Sequence, residues 1–513
     1  MFIDARNLPE RTTVEADLAI VGGGPAGITL ACALAGSRIS VCLIEAGGLE
    51  PDAQTQSLYE GENAGIEYPL SGSRLRYFGG SSNHWGGYCR PLDPIDFEAR
   101  DWVPFSGWPF NIDELLPYYP PASARVEVAP AHFDDLAYWQ EKTGERLLKL
   151  ASGRMQTRFV HFSPPTRFGE RYRAELAQGG NVRVLLYANV VNIASSEAGR
   201  TVTHLDVRTL GGLSHTVRAR LYVLATGGLE NARLLLLSNK DVAAGLGNQH
   251  DLVGRFFMEH PHLTGFGEIV VADLQRLPRI YRERLAPAGP VVNAAFDPSP
   301  EFLRERRLLN ATFMMAVAGE YGPGARPSDD MQRSAAHTDM LRAASRFLSD
   351  GDNADKPPEL GAGAVWLGIG CACEQAPNPA SRVSLSTERD ALDLPEISLE
   401  WRLTAQDRHS VIEHMRSLAL EFGALDIGRM VLKVEDDGRW PELVIGGNHH
   451  MGTTRMSDDP RRGVVDRNAC VHGTDNLFIA GSSVFPTSGA ANPTLTIVAM
   501  TLRLAEHLRK TLQ

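Results

Sequence analysis

Gly22-x-Gly24-x-x-Gly27 stands between an apolar run, DLAIVG, and a helical run, ITLACALAG, and Glu45 closes the next apolar run 18 residues past Gly27. This spacing suits a dinucleotide. Gly22 permits the tight turn, Gly24 lets a pyrophosphate approach the backbone, and Gly27 lets helix and strand pack closely. The helix N-terminus attracts the diphosphate, and Glu45 can accept from ribose hydroxyls. An acid at that position disfavours a 2′-phosphate and leaves FAD and NAD both open. Near the other end of the chain, His449 and His450 are adjacent imidazoles. An imidazole can take or give a proton near neutral pH, as acid–base chemistry requires. In an extended segment the two would point to opposite sides. Asn492 precedes Pro493 and a long apolar helical run, which reads as an N-cap with proline at the first helical position.

These groups need a frame. VCLIEAG after the first helix completes a βαβ unit, and LYVLATGG followed by GLENARLLLLS repeats the strand-to-helix pattern. DNLFIAG and the run from 492 to 512 return to it at the end. The nucleotide-type strands therefore lie at the start, middle and end, and must meet in one sheet. The reading is α/β: a Rossmann-like dinucleotide-binding domain assembled from discontinuous segments (1–90, 181–264 and 441–513), with a second α+β lobe from 91–180 and 265–440. The Gly/Pro-rich stretch 319–361 is expected to be a surface insertion or contact arm.

At 513 residues the chain is too long for one ordinary core, and 43% hydrophobic with 22% charged residues fits a globular protein. A net charge of -11 argues against nucleic acid as a partner. No apolar run approaches a membrane span and no secretory leader is visible, so a cytoplasmic location is expected, with export alongside a partner subunit as the alternative. Cys371 and Cys373 are too close together for a zinc site without a second pair, so no metal is expected.

Over its whole length the chain resembles the glucose–methanol–choline (GMC) flavoprotein oxidoreductases. The resemblance is carried by VGGGPAGITLACALA with VCLIEAG, RYFGGSSNHWGG, YVLATGGLENARLLLLS, GGNHHMGTTRM and NLFIAGSSVFPTSGAANPTLTIVAM. It is nearest to the sugar-active branch, which includes pyranose oxidases, fructose dehydrogenase large subunits and glycoside 3-dehydrogenases. It implies that the discontinuous Rossmann-like domain is FAD-binding, with 441–513 also catalytic, and that the α+β lobe is substrate-binding. It further implies that an alcohol, here a sugar or glycoside hydroxyl, is oxidised to a carbonyl by His-assisted proton abstraction and hydride transfer to flavin N5. His449 precedes x-x-Gly-Thr at the family's base position, and Asn492 is its implied partner. Gly22, Gly24, Gly27, Glu45, Gly79, Gly80, Asn83, His84, Val191, Ala225, Gly227, Gly481, Pro493 and Thr494 would contact FAD. His84 aligns with a position that is covalently linked to flavin in some relatives, and non-covalent binding is expected in preference.

Glu374 and Gln375 would line the sugar side of the pocket, or else be solvated residues at a strand edge. His450 is a substrate-side candidate for which a supporting, packed role is favoured. Trp102, Trp108 and Phe110 could stack on sugar rings, although packing is expected for at least two of them. Alternatives are a non-sugar alcohol (aromatic, sterol or polyol) and a non-catalytic FAD subunit of a complex. Oxygen, a quinone or a separate electron-transfer protein would reoxidise the flavin, and self-association is left open. The purified protein should be yellow, and acid or heat should release its flavin. A flavin-bearing pellet that turns colourless in His84→Ala would instead establish a covalent link.

Overall fold

The computed structural model describes residues 1–262, 267–271, 273–287, 289–317, 365–432, 440 and 444–513. The 319–361 stretch lies outside the described residues.

Apolar runs with no polar face form strands covered on both sides. Phe2–Asp4, Val182–Leu186, Val41–Ile44, Thr13–Val21 and Ser214–Leu224 are neighbours in that order and all parallel. The last of these shares its free edge. Its first half pairs with Val202–Arg208 in an antiparallel meander that continues to Asn189–Ser195. Its second half, Tyr222 to Leu224, pairs in parallel with Leu477–Ile479. The start, middle and end of the chain therefore meet in one sheet. The helix Pro25–Leu34 packs against the helix Thr494–Leu512, and both bury apolar faces in the main core.

The second sheet is antiparallel, in the order Gly428–Leu432, Gly267–Val271, Val365–Cys373, Ala311–Val317, Val291–Pro298, Met155–Phe162 and Tyr88–Cys89. Pro261–His262 pairs with both Val365–Cys373 and Ile445–Gly446. Three segments expected in the nucleotide-binding parts, Tyr88–Cys89, Pro261–His262 and Ile445–Gly446, thus belong to the second sheet. A third sheet joins Arg382–Arg389, Pro395–Glu400 and Gly61–Asn63.

The first turn shows why its glycines are needed. Gly22 has φ +106°, and a Cβ there would press on the Ala225 carbonyl. A Cβ on Gly27 would overlap the Gly22 oxygen. Gly27→Ala should therefore force the helix off the strand, and flavin absorbance and a thermal melt should show lost FAD and a lowered Tm. Gly423→Ala, inside the helix Ala405–Ala424 with open space at its Cβ, should leave the colour intact and cost nothing.

Candidate active site

His449 lies three residues past the Ile445–Gly446 strand, and the strand paired with it, Pro261–His262, carries His262 and is immediately preceded by His260. That pairing brings together residues almost 190 positions apart. His449 Nδ1 lies 2.9 Å from His260 Nδ1. Its other nitrogen, Nε2, lies 3.2 Å from the Asn492 amide nitrogen. The His262 ring stands edge-on to His449, with centroids 5.9 Å apart, and His262 Nε2 is buried without a partner. Burial, and secondarily the neighbouring His260, His262 and His450, holds the His449 pKa well below 6.5. Burial lowers His260 and His262 to about 4 and His450 to about 3. All four imidazoles are neutral at pH 7.

Glu259 fixes the backbone of this cluster. One carboxylate oxygen accepts from His449 N (2.7 Å), and the other accepts from His260 N (2.9 Å) and Gly447 N (3.0 Å). The Tyr68 hydroxyl donates to the first oxygen and lies 2.8 Å from His450 Nε2. His450 thus faces Tyr68 while His449 faces Asn492, so the two histidines do point apart. A Cβ on Gly447 would come within 2.6 Å of His262 Nε2 and 2.7 Å of His449 Nδ1, so the histidines close over a bare backbone. Sequence reasoning missed Tyr68, Glu259, His260 and His262. The string Glu259-His260-Pro261-His262 was the available signal, since a residue before proline is held extended.

Asn492 is not the helix cap. The helix begins at Thr494 with Pro493 before it and no side-chain cap bond, because the Asn492 amide is directed at His449. Its first-turn N–H groups stay free, leaving a positive end beside the site.

Glu374 and Gln375 are buried rather than solvated. Glu374 is paired with Arg100 and accepts from Asn310 N. Gln375 accepts from Glu259 N and Trp401 Nε1 and donates to the Arg402 carbonyl. Their polar atoms are engaged within the protein. Trp108 and Phe110 pack with Phe97, and Trp108 also packs against Phe485, while Trp102 donates to the Leu308 carbonyl. All three aromatics serve packing.

The residues at the turn fit FAD. Glu45 is buried and accepts from Gly23 N and Gly47 N through different oxygens, and each oxygen keeps a further lone pair for a ribose hydroxyl. Nothing lies within 4 Å of a Cβ on Gly24, at the open start of the first helix. Gly79 donates to the Gly23 carbonyl, which lays the Gly79–Gly80 loop over the turn, and Asn83 folds back onto the Phe78 carbonyl. His84 is half-buried and within electrostatic range of His450. Ala225 and Gly227 flank Thr226 beside Gly22, and Gly481 opens the turn after Leu477–Ile479. Val191 is buried against Leu58 and Leu392.

Residues 17–246 match the family model described as FAD dependent oxidoreductase, and residues 377–501 match GMC oxidoreductase. The chain is 25% identical to the 2-methyl-1,2-propanediol dehydrogenase of Mycolicibacterium austroafricanum, over 97% of this chain and 95% of that protein. It is 23% identical to the fructose dehydrogenase large subunit of Gluconobacter japonicus, over 97% of this chain and 98% of that one. A crystal structure of formate oxidase shares the fold with a TM-score of 0.57, at 17% identity, covering 99% of this chain and 100% of that chain. Among the described residues no helix is long and apolar enough to cross a membrane.

Burial raises the Glu259 pKa from 4.5 to about 7. The folded state therefore favours the protonated acid. The stability that this contributes is complete below pH 4.5 and is lost as pH rises through about 7. Denaturant titrations of the holoenzyme should show a wild-type minus Glu259→Gln difference that changes across that window. A flat difference would mean that Glu259 titrates normally.

Proposed function

We propose that this chain, an FAD-dependent oxidoreductase of the GMC type acting on CH–OH groups, oxidises a sugar or glycoside hydroxyl to a keto group with His449 as base and Asn492 as its partner. The observation that carries the reading is the approach of the Asn492 amide nitrogen to His449 Nε2 at 3.2 Å. A hydroxyl oxygen set against both groups would give its proton to Nε2 and accept a hydrogen bond from the amide. Burial keeps His449 neutral, so the lone pair is available at pH 7. Bound FAD supplies the acceptor for the hydride.

Gly22, Gly24, Gly27 and Glu45 would hold the diphosphate and ribose. Gly79, Gly80, Asn83, His84, Val191, Ala225, Gly227, Gly481, Pro493 and Thr494 would complete the cradle. The free N–H groups at the start of Thr494–Leu512 would favour negative charge on the reduced cofactor. His450 supports the site through Tyr68.

The fructose dehydrogenase relative, matched over nearly its full length, supports a sugar. Its designation as a large subunit supports a separate electron-transfer protein as acceptor, beside oxygen or a quinone. The propanediol dehydrogenase relative favours a second reading, a small polyol. Anaerobic flavin reduction by D-fructose, D-glucose, methyl glucoside and 2-methyl-1,2-propanediol should be fastest with a sugar. Reduction by the diol alone would replace the first reading with the second.

His449→Ala should keep FAD and slow reduction by a factor of about 10² to 10⁴. His450→Ala should cost much less. Asn492→Ala should slow reduction with little change in Tm, because no cap bond is lost. A dead His450→Ala beside a fully active His449→Ala would give the base to the other histidine.

A further inference from the structure

His260 donates and accepts in a fixed order. Its Nε2 lies 3.3 Å from the Ser488 carbonyl oxygen. A carbonyl can only accept, so that nitrogen carries the proton. Burial keeps His260 neutral at pH 7, so its Nδ1 holds a lone pair. That lone pair faces His449 Nδ1 at 2.9 Å. The reverse tautomer of His449 would set two lone pairs against each other there and leave a buried acceptor unmet. The proton of His449 therefore belongs on Nδ1 and its lone pair on Nε2. The opposite end of the ring gives the same answer independently: the Asn492 amide nitrogen is a donor, and at 3.2 Å it requires a lone pair on Nε2.

We infer that His260 is a positioning residue that sets the tautomer and ring orientation of His449, keeping the basic lone pair on the nitrogen beside Asn492. The inference rests on the reading of His449 as the base. None of the other groups around His449 competes for Nδ1. Glu259 is engaged by backbone N–H groups and Tyr68. His450 turns to Tyr68, and His262 presents its edge, its Nε2 unpartnered. When Nε2 takes a hydroxyl proton, the ring becomes positive and its Nδ1–H still has the His260 lone pair to donate to. The hydrogen bond then becomes charge-assisted and strengthens as charge appears. A proton entering at Nε2 thus needs no reorganisation on the far side of the ring.

The test uses FAD-loaded enzyme labelled with ¹⁵N-histidine, with His449 assigned by comparison with His449→Ala. At neutral pH the wild-type His449 signals should show Nδ1 protonated and Nε2 bare. In His260→Leu, which matches the volume but offers no acceptor, the Nε2-protonated form should appear. Flavin reduction by the alcohol that reduces the wild type fastest should slow about 10- to 100-fold, as for other groups that orient a working imidazole, with KM unchanged. His260→Asn, whose side-chain oxygen can stand in for Nδ1, should recover most of the rate. A merely structural role would not move the tautomer or respond to Asn. Wild-type His449 protonated on Nε2, or a His260→Leu enzyme that reduces at the wild-type rate, overturns the inference. If His449→Ala itself reduces normally, the base assignment fails instead, and the ¹⁵N spectrum still decides the tautomer. Bound-flavin absorbance of each variant reports that it has folded.

Discussion

The histidine cluster depends on one buried carboxylate. Glu259 collects N–H groups from His260, Gly447 and His449 and the hydroxyl of Tyr68. Those donors come from three separated stretches of chain, two of them joined by the short ladder between Pro261–His262 and Ile445–Gly446, and the carboxylate ties Tyr68 to both. Removing a carboxylate from water is costly, which is why its acidity is so weakened. Four donors offset that cost only if each is in place. The geometry of the histidines is thus held by a group that tolerates little deviation.

Around that centre the architecture divides the work. The parallel sheet presents the glycine turn and Glu45 at the carboxyl ends of two interior strands, where ligands bind in such folds. The antiparallel sheet delivers His262 on a two-residue strand and His260 immediately before it, and the closing segment delivers His449 and Asn492. Buried ion pairs such as Arg100 with Glu374 and Arg233 with Asp390 tie the surrounding loops. Such pairs fix arrangement more than they add stability.

The sequence was legible where chemistry is local. The glycine turn, Glu45 and the strand-helix alternation all lie within a few dozen residues, and their physics does not need distant partners. The opposed directions of His449 and His450 could likewise be inferred from adjacency. Illegible were the contacts across long separations. His260 meets His449 across 189 residues and Tyr68 meets His450 across 382, and no spacing rule links them. Asn492 shows the converse failure. Its local pattern is a cap, but a partner 43 residues away draws its amide elsewhere. Glu374 and Gln375 look solvated by type, and only the tertiary structure supplies the arginine, tryptophan and backbone groups that bury them.

The chain supplies its parts in an order with a biological consequence. Both halves of the cofactor turn, Gly22 and Ala225, lie in the first half of the sequence, while His449, Asn492 and the strand Leu477–Ile479 come late. During synthesis, the early strands can begin to associate long before His449 exists. The helix Thr494–Leu512 then packs across the first helix, and Arg220 reaches the Leu512 carbonyl. A translation product cut short before residue 449 lacks His449 and Asn492, so aborted synthesis yields fragments in which this cluster cannot form. The same late stretch closes the parallel sheet and completes the histidine cluster, so neither exists until synthesis is nearly over.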